Sequence, residues 1–201
     1  MFIEFARTMP TTRSYESPKR TAAAAETRAR VVAAAGRLLA DQGIPAFSLE
    51  TVAKAAGVTR LTLYNQFGSR RGLLEAVFDE RAQVGGLGRL ANAMALADPL
   101  EALDRLVEIF SDFWSDPTLA PLHDALGLDA EFAQAVADRQ ERRRRLMDGV
   151  VARLPPAGAR QDTVDVLFTL TSYPVFQMLR PGRSTAEVTA LVKSACRAAL
   201  A

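Results

Sequence analysis

The chain has one cysteine, one histidine and one tryptophan in 201 residues. A single thiol, Cys196, excludes an internal disulfide and fits a reducing compartment. His123 has no second residue at metal-ligand spacing near it, Cys196 has no base in its sequence context, and the Asp and Glu residues are scattered over polar helix faces. Catalysis, a bound metal and a cofactor are therefore not expected. No stretch reaches the ~18 apolar residues that a membrane span requires, and the apolar run in MFIEFARTMP is too short for a signal peptide. A cytoplasmic protein without a membrane partner is expected. The two-residue alternation of half-buried strands is also missing, which leaves an all-α chain.

What is present is a 49% apolar composition, enough for a sizeable core, and a charge distributed unevenly along the chain. Residues 1–81 hold 12 Lys/Arg against 8 Asp/Glu, whereas residues 82–201 hold 13 against 15. A basic N-terminal part suits a polyanionic partner.

Within that basic part, SLETVAKAAGVTRLTLYNQFGSRRGLL spells two short helices around Gly57 and the start of another at Ser69. Ser48, Thr59 and Ser69 are N-cap residues, and Leu49, Val52, Ala53 and Ala56 recur at helical spacing. With Leu63 at the centre of a buried face, Thr59, Gln66 and Phe67 fall inward, and Leu61, Thr62, Tyr64 and Asn65 fall outward. Asparagine can pair in two places with adenine, Leu61 and the Thr62 methyl can touch thymine methyls, and the Tyr64 hydroxyl can reach a phosphate. Arg70 and Arg71 occupy a first turn where carboxylates are preferred, a penalty that a docked phosphate would reverse. The alternative is that both bend into solvent.

RARVVAAAGRLLADQGIPAFSLETVAKAAGVTRLTLYNQFGSRRGLLEAV, from Arg28 to Val77, resembles the N-terminal domain of TetR-family transcriptional regulators. The resemblance rests on an amphipathic helix ending in Gly, an Ala-Gly-Val turn, a Leu-Tyr-x-x-Phe helix and a Ser-plus-basic helix start. It implies Tyr64 and Arg70 as phosphate contacts and Thr59, Arg60, Leu61, Thr62 and Asn65 as base-reading positions; Ser48 completes the expected set of DNA contacts. Gln66 stands where a His is frequent, and Leu61 where a small residue is common. The implied architecture has about nine helices: an N-terminal three-helix helix-turn-helix domain over residues 22–70 and a C-terminal dimerisation and ligand-binding bundle over residues 71–201. The implied partners are a near-palindromic double-stranded operator, a small-molecule effector and a second copy of the chain, with the protein acting as a repressor. An interaction protein of the same fold without small-molecule control is the other reading.

Residues 1–21 lack helical periodicity and are expected to form a flexible arm; Arg13, Lys19 and Arg20 either follow a DNA groove or belong to a plain tail. A first helix is expected from about Ala22 to Gln42, with Val31, Ala35, Leu38 and Leu39 inward. Gly85, Gly86 and Gly88 interrupt the helix after Ser69, as a simple kink or as a compliant link. Further helices are expected from Pro99 to Trp114, over a short stretch to about Leu126, and from about Asp129 to Leu154 along the stripe Phe132, Ala135, Arg139, Arg142 or Arg143, Leu146, Val150. At least one of Arg142 to Arg145 should point inward, and Arg139 or Arg142 either stays solvated or holds an anion or a partner's acid.

DTVDVLFTLTSYPVFQML, from Asp162 to Leu179, is apolar on nearly every side and is read as one helix kinked at Pro174. Its cover should include a second subunit, with a last helix from about Ser184 to Ala199 beside it. The kink either shapes that interface or opens ligand space. Phe110, Phe113, Trp114, Tyr173 and Phe176, with Arg139 and His123 as polar groups, are the candidate lining of an apolar or aromatic effector's pocket. The competing account is a filled core.

Overall fold

The computed structural model describes residues 18–128, 130–155 and 159–200. These residues form eleven α-helices and three short 3-10 turns, with no strand among them. The helix α1 (Pro18–Gln42) starts four residues earlier than periodicity suggests, so residues 18–21 are helical, while the rest of the expected arm, Arg13 included, lies outside the described residues. Val31, Ala35 and Leu39 of α1 are fully buried, and Leu38 is half-buried.

Helices α2 (Leu49–Ala56) and α3 (Arg60–Phe67) form the two-helix unit, joined through Gly57 at φ 65° and ψ 38°. That left-handed conformation is one that glycine adopts without steric cost. The Ser48 hydroxyl accepts from the Thr51 backbone N–H at 3.1 Å, and the Thr51 hydroxyl closes the box on Ser48 N at 3.0 Å. α4 (Arg70–Val84) is capped by Ser69, whose hydroxyl accepts from Gly72 N at 3.0 Å.

The glycine run ends α4 rather than weakening it. After Gly85 a 3-10 turn (Leu87–Arg89) leads into α5 (Leu90–Met94), one of two helices beyond the expected nine. Gly85 abuts α6 (Pro99–Trp114): a Cβ there would lie 2.7 Å from the Phe113 ring and 3.1 Å from its Cα. α6 is the central helix and packs on α4, α5, α8, α10 and α11. Then come α7 (Leu119–Asp124), α8 (Ala130–Val151) and α9 (Arg160–Leu170).

The expected kinked helix is instead broken. α9 stops at Leu170, Ser172 caps α10 (Tyr173–Leu179), and Pro174 sits in the first turn of α10, where its missing N–H costs nothing. The chain ends in α11 (Thr185–Ala198), started by a Ser184–Glu187 capping box. Leu167 and Phe176 are buried within the protomer, so they are core residues and not the outer face of this segment; Val166 and Met178 are the exposed ones.

No described helix is long and apolar enough to cross a membrane. Cys196 is fully buried, and burial pushes its thiol up to about 12.

Gly85→Ala is expected to lower unfolding stability by roughly 1–3 kcal/mol, because the added methyl must displace the Phe113 ring or the α4 end. Urea titration reads this directly; an unchanged midpoint would show that the α4–α6 contact gives way freely.

Candidate nucleic-acid interface and ligand cavity

α3 is held by two side chains and offers the remainder outward. Leu63 is fully buried and Phe67 nearly so, whereas Leu61 is 67% and Tyr64 61% exposed and Asn65 is exposed beside them. Thr62 is half-buried and shares a 2.9 Å hydroxyl contact with Thr59, the N-cap, so both are partly occupied in starting the helix. Thr59 is exposed, which corrects its inward assignment, since a cap residue sits at the helix mouth whatever its angular phase; Gln66 is half-buried with its Oε1 turned inward, as its phase predicts.

Two arginines outside the outward face brace this region, one against α3 and one beside the start of α2. Arg28 on α1 donates to the Gln66 carbonyl at 3.1 Å and lies 4.5 Å over the Phe67 ring, closing the C-terminal end of α3. Nothing in the polar face of α1 singles Arg28 out, and the sequence reading missed it. Arg70 does not simply bend into solvent: its Nε donates to the Phe47 carbonyl at 3.1 Å and its guanidinium stacks over that ring. Ser48, Arg60 and Arg70 border one surface concavity, with Glu50 as the opposing charge. Arg71 pairs with Glu75 at 3.2 Å and with Glu131 of α8 at 3.0 Å.

Of the expected pocket residues, Phe110, Phe113, Trp114 and Arg139 meet around a cavity of about 180 Å³ between α4, α6 and α8. Trp114, His123 and Tyr173 meet around a smaller one of about 40 Å³, and Phe78, Trp114 and Gln140 belong to both walls. Phe176 joins neither; it packs with Leu170 and Val192 on the far side of Trp114. The His123 and Tyr173 rings lie 5.2 Å apart, and burial, followed by the Asp124 charge, raises the Tyr173 phenol above its ordinary range.

One member of the arginine run points inward as expected, and it is Arg143 and not Arg142. Arg142 is exposed, and Arg139 bonds to Asp79 of α4 at 2.5 Å and stacks on Phe78. The inward member is Arg143, 5% exposed. It donates to the Phe168 carbonyl at 2.6 Å, the Thr171 hydroxyl at 2.7 Å and the Gln140 side-chain oxygen at 3.0 Å, and stacks 3.9 Å over the Phe168 ring. Burial, with the neighbouring Arg144 cation second, pushes its guanidinium down to about 10. Arg144 itself is paired with Asp165. Phe78, Gln140 and Arg143 were not anticipated as cavity residues; Phe78 follows Leu74 at ordinary core spacing and carries no distinguishing signal.

Arg70→Ala is expected to cost about 0.5–1.5 kcal/mol of stability with no DNA present, since it strips the Phe47 carbonyl of a donor. An unchanged denaturation midpoint would mean that the contact contributes nothing to the fold.

A family model described as bacterial regulatory proteins, tetR family, matches residues 31–77. The HTH-type transcriptional regulator EthR of Mycolicibacterium smegmatis is 30% identical over 152 residues, 73% of this chain and 69% of that one. TtgR of Pseudomonas putida, another HTH-type transcriptional regulator, is 28% identical over 128 residues, so the match spans about three fifths of its length, 61%. Among solved structures, the regulator FadR from Bacillus subtilis, in complex with stearoyl-CoA, superposes with a TM-score of 0.68 at 18% identity, over 86% of this chain and 97% of that one. A 30%-identical relative covered over more than two thirds of its length, together with the matching N-terminal model, settles kinship: the chain belongs to the TetR family of bacterial regulatory proteins.

Proposed function

We propose that the protein is a DNA-binding transcriptional repressor that works in the cytoplasm as a homodimer and is released from a near-palindromic operator by a small, largely apolar or aromatic effector. The observation that carries this reading is the outward face of α3, where Leu61, Tyr64 and Asn65 stand exposed on a helix whose buried side chains are Leu63 and Phe67. Residues 22–70 are the DNA-binding part in this reading and residues 71–201 the dimerisation and ligand-binding part, with α4 common to both. Tyr64 and Arg70 position the phosphates; Arg60, Leu61, Thr62 and Asn65 read base edges from the major groove. Ser48 and Thr59 contribute mainly through the helix starts that they cap.

Effector control is supported by the cavity between α4, α6 and α8, and by FadR of Bacillus subtilis having been solved with stearoyl-CoA. α4 starts against α3 and, just past its middle, supplies Phe78 and Asp79 to the cavity wall. A ligand that displaces Arg139 from Asp79 would move α4 and with it the recognition helix. It releases DNA only if it binds the wrongly spaced conformation better. The dimer is supported by apolar residues left outward on the last helices, Val166 on α9, Met178 on α10 and Leu191 on α11, all more than 40% exposed.

In fluorescence anisotropy with DNA from the chain's own upstream region, binding should fall steeply with added salt. Asn65→Ala should cost about 1–3 kcal/mol and relax one base position, while Tyr64→Phe weakens all sequences alike. Weak binding indifferent to sequence would sink the regulator reading. In sedimentation, Val166→Glu with Met178→Lys should yield folded monomers, because both sites lie outside the protomer's own core; an intact dimer would move the interface elsewhere.

A further inference from the structure

Arg143 is a cation without a counter-ion. It is 95% removed from solvent, yet each of its hydrogen-bond acceptors is neutral: a carbonyl, a hydroxyl and an amide oxygen. Its Nη2 makes no hydrogen bond among the described residues. The neighbouring arginines do not share this state: Arg139, Arg144 and Arg145 are paired with Asp79, Asp165 and Glu141, and Arg142 is exposed. A buried guanidinium normally recovers its desolvation cost from a carboxylate or phosphate. Here none of the protein's own acids among the described residues is within ion-pair reach.

The unpaired cation lines the 180 Å³ cavity, and the exposed Arg142 lines it too. The charged groups around that space are Arg139, Arg142, Arg143 and one carboxylate, Asp79, which Arg139 already engages. The remaining wall is apolar, with Phe110, Phe113, Trp114 and Leu146 prominent. An apolar cavity of about 150 Å³ holds one benzene ring, so this one has room for a single ring or a short chain.

Resting on the effector reading above, we infer that the cavity takes an amphipathic carboxylate, its apolar body against Trp114 and Phe113 and its anionic head on Arg143 and Arg142. A carboxylate offers the two oxygens that a guanidinium edge fits, and it supplies the charge that the neutral acceptors lack. The head group then competes with no internal salt bridge of Arg143, so binding leaves no acid orphaned.

Two probes of nearly equal shape separate charge from apolar fit: 3-phenylpropanoate and 3-phenylpropanamide, each titrated into the DNA-free protein while Trp114 fluorescence is followed. The carboxylate should bind at least about tenfold more tightly than the amide, and added KCl should weaken the carboxylate alone. Arg143→Met should erase the preference, and Arg142→Gln, a surface change that keeps the fold should the buried variant not survive, should reduce it several-fold. Equal affinity for the two probes, no carboxylate binding, or a preference untouched by both KCl and Arg142→Gln overturns the inference. Because DNA is absent, this outcome is independent of operator binding: an amide that binds as well and still releases operator leaves the regulator reading standing and removes only the anionic head.

Discussion

The interruption between α9 and α10 is the constraint around which the C-terminal bundle is arranged. Stopping a helix at Leu170 in the interior of a protein leaves carbonyl oxygens with no intrahelical donor, and buried orphans of that kind are not tolerated. Two side chains from other helices answer them. Arg143 of α8 donates to the Phe168 carbonyl, and the Trp114 indole of α6 donates to the Thr171 carbonyl at 2.9 Å. Each bond fixes a helix as well as a polar group. α8 is held against the end of α9, α6 is held against the loop that follows, and the space left between α6 and α8 is the cavity. A positive charge near the C-terminal end of a helix is also favoured by the alignment of its peptide dipoles, which lowers the cost of burying Arg143 there.

α4 connects this bundle to the DNA-facing helices. Its first turn is capped beside Phe67, its middle is bonded through Asp79 and Glu75 to arginines, and its end lies so close to Phe113 that a side chain at Gly85 would have to displace one of them. Arg71–Glu131 and Arg139–Asp79 tie it to α8 at two levels. A helix restrained at both ends moves as a body, which is the kind of element through which an event at the cavity reaches α3.

The orientation of α3 was legible in the sequence because two apolar residues four apart, Leu63 and Phe67, are enough to set the phase of a two-turn helix. Caps at Ser48, Thr59 and Ser69 were legible for the same local reason. The phase of α8 was legible only in part. Of the expected stripe, Phe132, Arg143 and Val150 are buried, whereas Ala135, Arg139 and Leu146 lie beside the buried Val136 and Met147 on the wheel. In a run of four arginines the inward member is chosen by the acceptors that face it, here carbonyl and hydroxyl groups on a helix with no sequence relation to α8. The break at residues 171–172 was hidden likewise: Pro174 is equally compatible with a kink and with the first turn of a new helix, and Ser172 decides between them by capping.

The thin anchoring of α3 has an evolutionary side. Of its eight residues only Leu63 and Phe67 are buried, and the Arg28 bond at its end engages a backbone carbonyl that any residue at position 66 would provide. Substitutions at Leu61, Tyr64 or Asn65 therefore change the chemistry displayed outward at almost no cost in folding free energy. After gene duplication, one copy could drift to a new target while its folding stayed as robust as before. Divergence at the cavity would be more constrained, since Trp114 and Arg143 both line the cavity and hold the bundle together.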